Sequence, residues 1–209
     1  MSLSISLSPL RALPMLALLA ALGLLAAPQA ALAQPATAGN DPAAEQFART
    51  VGSDLIALLK RYQHRADLRS ALREFLVPKI DIWRMSRFVL GPYARRLDNE
   101  QLERWQREFV DYLVRVYATR LKGYSDEKFV VLGSQTRGRN TVVMSEIHFT
   151  DERPPLPVQW WLIQQKNGGY RLFDLQVLGV WFAQEQRALF TSVLDESQGS
   201  LDALIARLR

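Results

Sequence analysis

The period of the hydrophobic pattern changes twice along this chain, and that limits the folds open to it. From residue 41 apolar side chains recur at three- and four-residue steps, from Tyr124 they alternate, and after residue 180 the helical spacing returns. Steps of three and four place side chains on one helix face, whereas alternation places every second side chain on one sheet face. Helices, then strands, then helices is the order of an α+β fold, with helices packed against one sheet.

The first predicted helix carries Phe47, Val51, Leu55, Leu58 and Tyr62, with Asp41-Pro42 supplying an N-cap and a first-turn proline. A second, through Leu68, Leu72 and Phe75, ends near Val77 because Pro78 disfavours helical backbone in the residue before it. A third, over 81–90, presents Ile82, Met85, Phe88 and Val89 and stops at Gly91-Pro92. The fourth, over 97–122, opens on a capping-box pattern at Asp98 and Gln101. Its stripe is Leu102, Trp105, Phe109, Leu113, Val116 and Tyr117. Glu100 with Arg104, Glu103 with Arg107 and Asp111 with Arg115 form i,i+4 pairs on a solvated face.

Four strands are predicted over 128–133, 141–149, 158–165 and 170–177. The links between them carry turn chemistry: Arg137-Gly138-Arg139-Asn140, then 151–157, then Asn167-Gly168-Gly169. Such short links make an antiparallel meander. Two closing helices carry Phe182, Leu189, Phe190, Val193 and Leu194, then Leu201, Leu204, Ile205 and Leu208, with Gly199 at the break. No repeat or linker follows residue 40, so 41–209 reads as a single domain.

The N-terminus reads as an address. Residues 1–33 hold one charge, Arg11, then the apolar run 12–27 and the small-residue site Ala31-Leu32-Ala33. This is the layout of a cleaved secretory signal peptide. The rival, a membrane anchor, needs roughly 20 apolar residues, and this run has Pro14 inside it and Pro28 at its end. Residues 34–40 form a small, polar leader with the composition of a disordered segment. The expected mature protein is exported. Without Arg11 the 26 basic residues become 25 against 21 acidic ones, a mild bias below the charge density of a nucleic-acid binder.

The chain has no cysteine and two histidines. That excludes disulfides, thiolate nucleophiles, Cys-based metal sites and a lipid-anchored mature N-terminus. No serine sits in a G-x-S-x-G setting, and no H-E-x-x-H, Walker A loop or strand-borne G-x-G-x-x-G occurs. His148, between Ile147 and Phe149, reads as a strand-face residue, and His64 as a loop residue. Asp126-Glu127 and Asp151-Glu152 fall in turns, where solvated acids belong. No catalytic residue, metal or cofactor is expected.

The strands are more informative. Val158, Trp160 and Leu162 point one way, while Trp161 and Ile163 point the other. Likewise Val142 and Met144 oppose Val143, Ile147 and Phe149. A sheet packed on one side alternates apolar with polar, but here both faces are apolar. Either helices cover both faces, or one face lines a cavity. Trp160, Trp161 and Trp181, with Met85 and Met144, suit an adaptable pocket and an ordinary core equally.

An ordered series of short motifs resembles the Mla-type (toluene-tolerance) periplasmic phospholipid-binding proteins. It runs from Phe75-Leu76-Val77-Pro78-Lys79-Ile80-Asp81 through Met85-Ser86, Val89-Leu90-Gly91, Asp98 to Gln101, Phe109, Tyr112-Leu113, Tyr117 and Leu121. It continues through 143–147, Pro154-Pro155, Phe173-Asp174, Gly179-Val180, Gln186-Arg187 and Phe190, and ends at Leu201-Asp202-Ala203-Leu204-Ile205. The resemblance covers 47–209. One departure is Trp181, where members usually carry Ser after Gly-Val. The segment 192–201 is also similar to the branch associated with hopanoid biosynthesis.

This resemblance implies an α+β fold in which a helical layer packs on a four-stranded antiparallel sheet and encloses an apolar lipid cavity. It implies a phospholipid or hopanoid ligand with its headgroup outside. The implied partners are an inner-membrane ABC transporter complex with a lipid-binding ring and an outer-membrane lipoprotein complex. No nucleic acid, catalytic residue or cofactor is implied. The candidate lipid-binding residues are Met85, Phe88, Leu113, Tyr117, Val143, Met144, Ile147, Trp160, Leu162, Phe173, Val177, Trp181 and Phe182. Two rival readings stay open: a small exported enzyme, and an interaction module with a filled core.

Overall fold

Asp41 opens the first helix, α1 (Pro42–Tyr62), and also fastens it to the sheet. One carboxylate oxygen accepts from the Ala44 N–H at 3.0 Å. The other accepts from Thr141 Oγ1 at 3.3 Å and from the Tyr170 hydroxyl. Burial pushes the Asp41 pKa up, but these hydrogen bonds outweigh it and hold the carboxyl below its usual value. The Tyr170 hydroxyl is pushed up to about 12, by burial first and then by its bond to Asp41.

The structure is a computed structural model that describes residues 39–62, 67–121 and 126–208. The expected signal peptide, leader residues 34–38, the loop carrying His64, and residues 122–125 with Tyr124 lie outside the described residues. Helix α2 (Leu68–Leu76) gives way to a 3-10 turn at Val77–Lys79, where Pro78 stands in the first turn. Helix α3 (Ile82–Val89) is capped by Asp81, which accepts from the Arg84 N–H at 3.2 Å. Helix α4 (Asn99–Arg120) has the expected capping box. Gln101 N–H donates to Asp98 at 2.8 Å, and Asp98 N–H donates to the Gln101 side chain at 3.0 Å. Helices α5 (Phe182–Glu196) and α6 (Leu201–Leu208) are separated by Gln198 and Gly199, both at positive φ. No helix among the described residues is long and apolar enough to cross a membrane.

The sheet is antiparallel, in the order β1 (Lys128–Arg137), β2 (Asn140–His148), β3 (Leu156–Gln164), β4 (Tyr170–Val177) and β5 (Val180–Trp181). It has five strands where four are predicted. The fifth exists because Leu178 and Gly179 both take positive φ, 51° and 83°. That geometry closes a two-residue hairpin and sets Val180 opposite Val177. Strand β1 also runs past its expected end at Gly133. The register shifts between Val131 and Gly133, leaving Leu132 out of the ladder and 58% exposed. The glycine marks a β-bulge, not a strand end.

The result is an α+β architecture, with a helical layer on one face of the sheet. Within that layer Trp105 and Phe109 are fully buried and both meet the ring of Phe190, at 5.6 and 6.3 Å. The Trp105 indole N–H donates to the Ser86 carbonyl at 2.8 Å, so its burial leaves no polar atom unsatisfied. Helix α1 crosses β1 at Gly52, where an added Cβ would stand 2.7 Å from the Phe129 ring.

Candidate functional site

The cross-strand register decides which side chains face the helices. Phe129, Ile147 and Leu156 form one row; Ser145, Val158, Val177 and Val180 form the next. Val143, Trp160 and Leu175 form a third, and Thr141, Leu162 and Leu172 a fourth. Side chains directly opposite in an antiparallel pair share a face, so these rows make one continuous surface beneath the helices.

A β-bulge in β4 keeps that surface apolar. Trp161 pairs with Asp174 and Leu162 with Leu172, leaving Phe173 without a partner. The extra residue shifts the alternation by one. Leu172 and Leu175 therefore both face the cavity although three positions apart, and Phe173 and Asp174 both face away from it. The ring contacts agree. Phe173 meets Trp161 at 4.9 Å and Phe88 at 5.3 Å, and Trp161 meets Trp181 at 5.9 Å.

Between the helices and this surface lies a cavity of about 340 Å³, within the range of small-ligand pockets. Its floor is Phe129, Ile147, Leu156, Val158, Trp160, Leu172, Leu175, Val177 and Val180. Its walls come from α1 (Gly52, Leu55, Ile56, Leu59), Leu76 of α2, Ile80 beyond it, and Met85 of α3. Tyr117 and Arg120 of α4, Leu121, and Phe182 and Glu185 of α5 close the ring. Of the 21 described lining residues only Arg120 and Glu185 are charged. Those two, with Val177 and Val180, are exposed although they line the cavity, so they mark its mouth.

The few polar atoms in the wall are occupied or neutral. The Trp160 indole N–H donates to Ser145 Oγ at 2.9 Å, and that hydroxyl donates to the Val158 carbonyl at 2.9 Å. Trp160 thus presents its apolar body, with the Phe129 ring 5.5 Å away. Tyr117 packs 5.4 Å from the Phe182 ring. Its hydroxyl pKa is raised strongly, by burial first and then by the nearby Asp174 charge, so it stays protonated.

Asp174, fully buried on the opposite side of β4, ties the cavity to the start of α5. One oxygen accepts from the Leu175 N–H and the Ala183 N–H, each at 2.8 Å. The other has no hydrogen-bond partner. Burial pushes its pKa up to about 6 despite those bonds.

Of the sequence candidates, Met85, Tyr117, Ile147, Trp160, Val177 and Phe182 come together around the cavity. Val143 and Leu162 share its sheet face but do not line it; both are fully buried. Leu113 is buried on α4 in the core. Phe88, Met144, Phe173 and Trp181 lie elsewhere. Met144 pairs with Gln159 and Trp181 with Gln176, positions that alternate away from the cavity, and Phe88 packs on Phe173. Trp181, where the resemblance departs, therefore stands outside the pocket wall. Sequence reasoning missed the α1 contribution and the two mouth charges. Strand parity from Trp160 alone points to Leu156 and Val158.

Elsewhere, a shallow depression of about 620 Å³ between α2, α3 and α4 carries Arg73, Glu103, Arg107, Asp111 and Arg171. Its charged lining makes it a solvated groove. His148 meets Glu146 at 2.8 Å on the outer sheet face. Among the described residues no group of three or more His, Asp or Glu side chains could hold a metal.

A helical layer over one sheet face, with an apolar cavity between them and charge only at its mouth, defines an α+β protein built around an apolar pocket. The chain belongs to the MlaC protein family, whose model matches residues 49–209. It is 23% identical over 145 residues to the intermembrane phospholipid transport system binding protein MlaC of Haemophilus influenzae, spanning 68% of this chain and 67% of that relative. The solved structure of the phospholipid-binding protein from Ralstonia solanacearum in complex with a phospholipid shares the fold. It superposes with a TM-score of 0.68 at 20% identity, over 79% of this chain and 94% of that one.

Proposed function

We propose that this protein is a periplasmic phospholipid carrier that buries acyl chains in the cavity and leaves the headgroup at the mouth. The observation that carries the reading is the lining itself: 19 of the 21 described lining residues are uncharged, on both sheet and helix walls, and the two charged ones stand at the rim. The phospholipid named for both relatives fits this chemistry. Residues 1–33 act as an export signal, and 41–209 act as one lipid-binding unit. Lipid is received from and delivered to an inner-membrane transporter complex and an outer-membrane lipoprotein complex.

The energetics suit a shuttle. Each methylene that leaves water for the cavity gains about 0.8 kcal/mol. A bilayer already supplies that burial, so transfer into a comparably apolar cavity is near neutral. Binding and release then need no chemical step, and the carrier's task is to shield the chains on the way.

The test is transfer of a fluorescent phospholipid from donor to acceptor vesicles. The account expects transfer that rises with protein concentration. A rate equal to the protein-free background contradicts it. The tail similarity at 192–201 brings in one competitor, a hopanoid, and adding it to the donor vesicles shows whether it displaces phospholipid.

A further inference from the structure

The cavity mouth holds two opposite charges that are not joined to each other. Arg120 is the last residue of α4, and Glu185 lies in the first turn of α5. Both are exposed, both line the cavity, and neither makes a hydrogen bond or ion pair with another described residue. Other basic side chains do pair with acids: Lys60 with Asp126, Arg73 with Asp111, Arg104 with Asp202. The two mouth charges nevertheless share one neighbourhood. The Tyr112 hydroxyl pKa is raised, by burial first, with Arg120 opposing the rise and Glu185 adding to it.

We infer that Arg120 and Glu185 form a headgroup clamp selective for zwitterionic phospholipids. Arg120 receives the phosphodiester and Glu185 the ammonium group. This rests on the carrier reading above and names the headgroup class it takes. A guanidinium offers paired N–H donors that match phosphate oxygens, and a carboxylate attracts a primary ammonium. With chains held in the apolar cavity, the headgroup must emerge among the mouth residues, and among the described residues these are the only charged ones that line it. An anionic glycerol headgroup engages Arg120 equally but places no cation beside Glu185, which then repels its phosphate.

Each charge also has a plainer role, since a cation at a helix C-terminus and an anion at an N-terminus both favour the macrodipole. The two roles separate by experiment. A dipole effect moves stability and leaves headgroup choice alone.

The probe is a set of vesicles containing equal amounts of phosphatidylethanolamine, phosphatidylglycerol and diacylglycerol with identical chains. Lipid bound to the re-isolated protein is quantified by mass spectrometry. Wild type is expected to enrich the ethanolamine lipid over the glycerol lipid. Exposed charge pairs set the scale at roughly 1.5- to 5-fold. Glu185→Gln removes that enrichment. Arg120→Gln lowers both phospholipids relative to diacylglycerol, and Arg115→Gln, on the same helix but off the cavity, changes neither ratio. Bound phospholipid that mirrors the vesicle composition in wild type, or a ratio unmoved by Glu185→Gln, overturns the clamp while the carrier reading stands. No uptake of any of the three lipids overturns both.

Discussion

Replacing Asp174 by Asn should abolish a specific part of the protein's pH dependence. This carboxyl is fully buried, with one oxygen bonded to two backbone N–H groups and the other without a partner. It titrates near 6 in the folded chain, against 3.8 when unperturbed. Once ionised it therefore disfavours the folded state by about 3 kcal/mol. The sign follows from proton binding. Between pH 3.8 and 6 the folded chain holds a proton that the unfolded chain has lost, so stability rises as pH falls through that window. Moving wild type from pH 7.5 to pH 5 should add on the order of 1 kcal/mol from this group alone. Asp174→Asn keeps an acceptor for Leu175 and Ala183 but cannot titrate. Any cost of its buried amide is the same at both pH values. Asp41, whose lowered pKa pushes stability the other way as acid is added, is common to both proteins and cancels. Urea unfolding of both at the two pH values gives the difference. Parallel stabilities for wild type and variant would refute the assignment of a buried, ionised Asp174 at the α5 start.

Three further outcomes follow from the packing. Gly52→Ala should lower the melting temperature although alanine favours a helix by about 1 kcal/mol. Its Cβ stands 2.7 Å from the Phe129 ring, and overpacking costs about 1–3 kcal/mol; a rise in melting temperature would contradict this. Leu162→Arg should unfold the protein, because Leu162 is fully buried outside the cavity and an unpaired charge there costs several kcal/mol of about 5–15. Leu175→Arg, in the cavity wall and partly exposed, should fold and lose bound lipid; identical behaviour of the two would remove the distinction between core and cavity. Leu178→Asn should stabilise by about 0.5–1 kcal/mol in thermal or urea unfolding, since Leu178 sits 71% exposed at φ 51° and asparagine tolerates that conformation.

What could be read from the chain was local. The Asp98 and Gln101 capping box, the Pro42 start and the break at Gly199 are written within a few residues, and each stands where expected. The meander was legible because its turns are short. The face lining the cavity was not, since Val158-Trp160-Leu162 and Trp161-Ile163 are equally apolar. Two long-range features decide it: the bulge at Phe173, and α1 crossing β1 at Gly52. Cavity and solid core then share one sheet face. The cavity lies along Leu156, Val158 and Trp160, and the core lies at Leu162. Opposite faces for core and cavity, the simpler expectation from alternation, do not describe the sheet. The mouth charges escaped notice because Arg120 and Glu185 are 65 positions apart, on different helices.

Native mass spectrometry of the protein, purified without detergent from a cell with two membranes, tests the central claim most directly. The account predicts a species heavier than the polypeptide by one phospholipid, released as intact lipid when the complex is activated or extracted with organic solvent. The bare polypeptide mass alone, across repeated preparations, would contradict it.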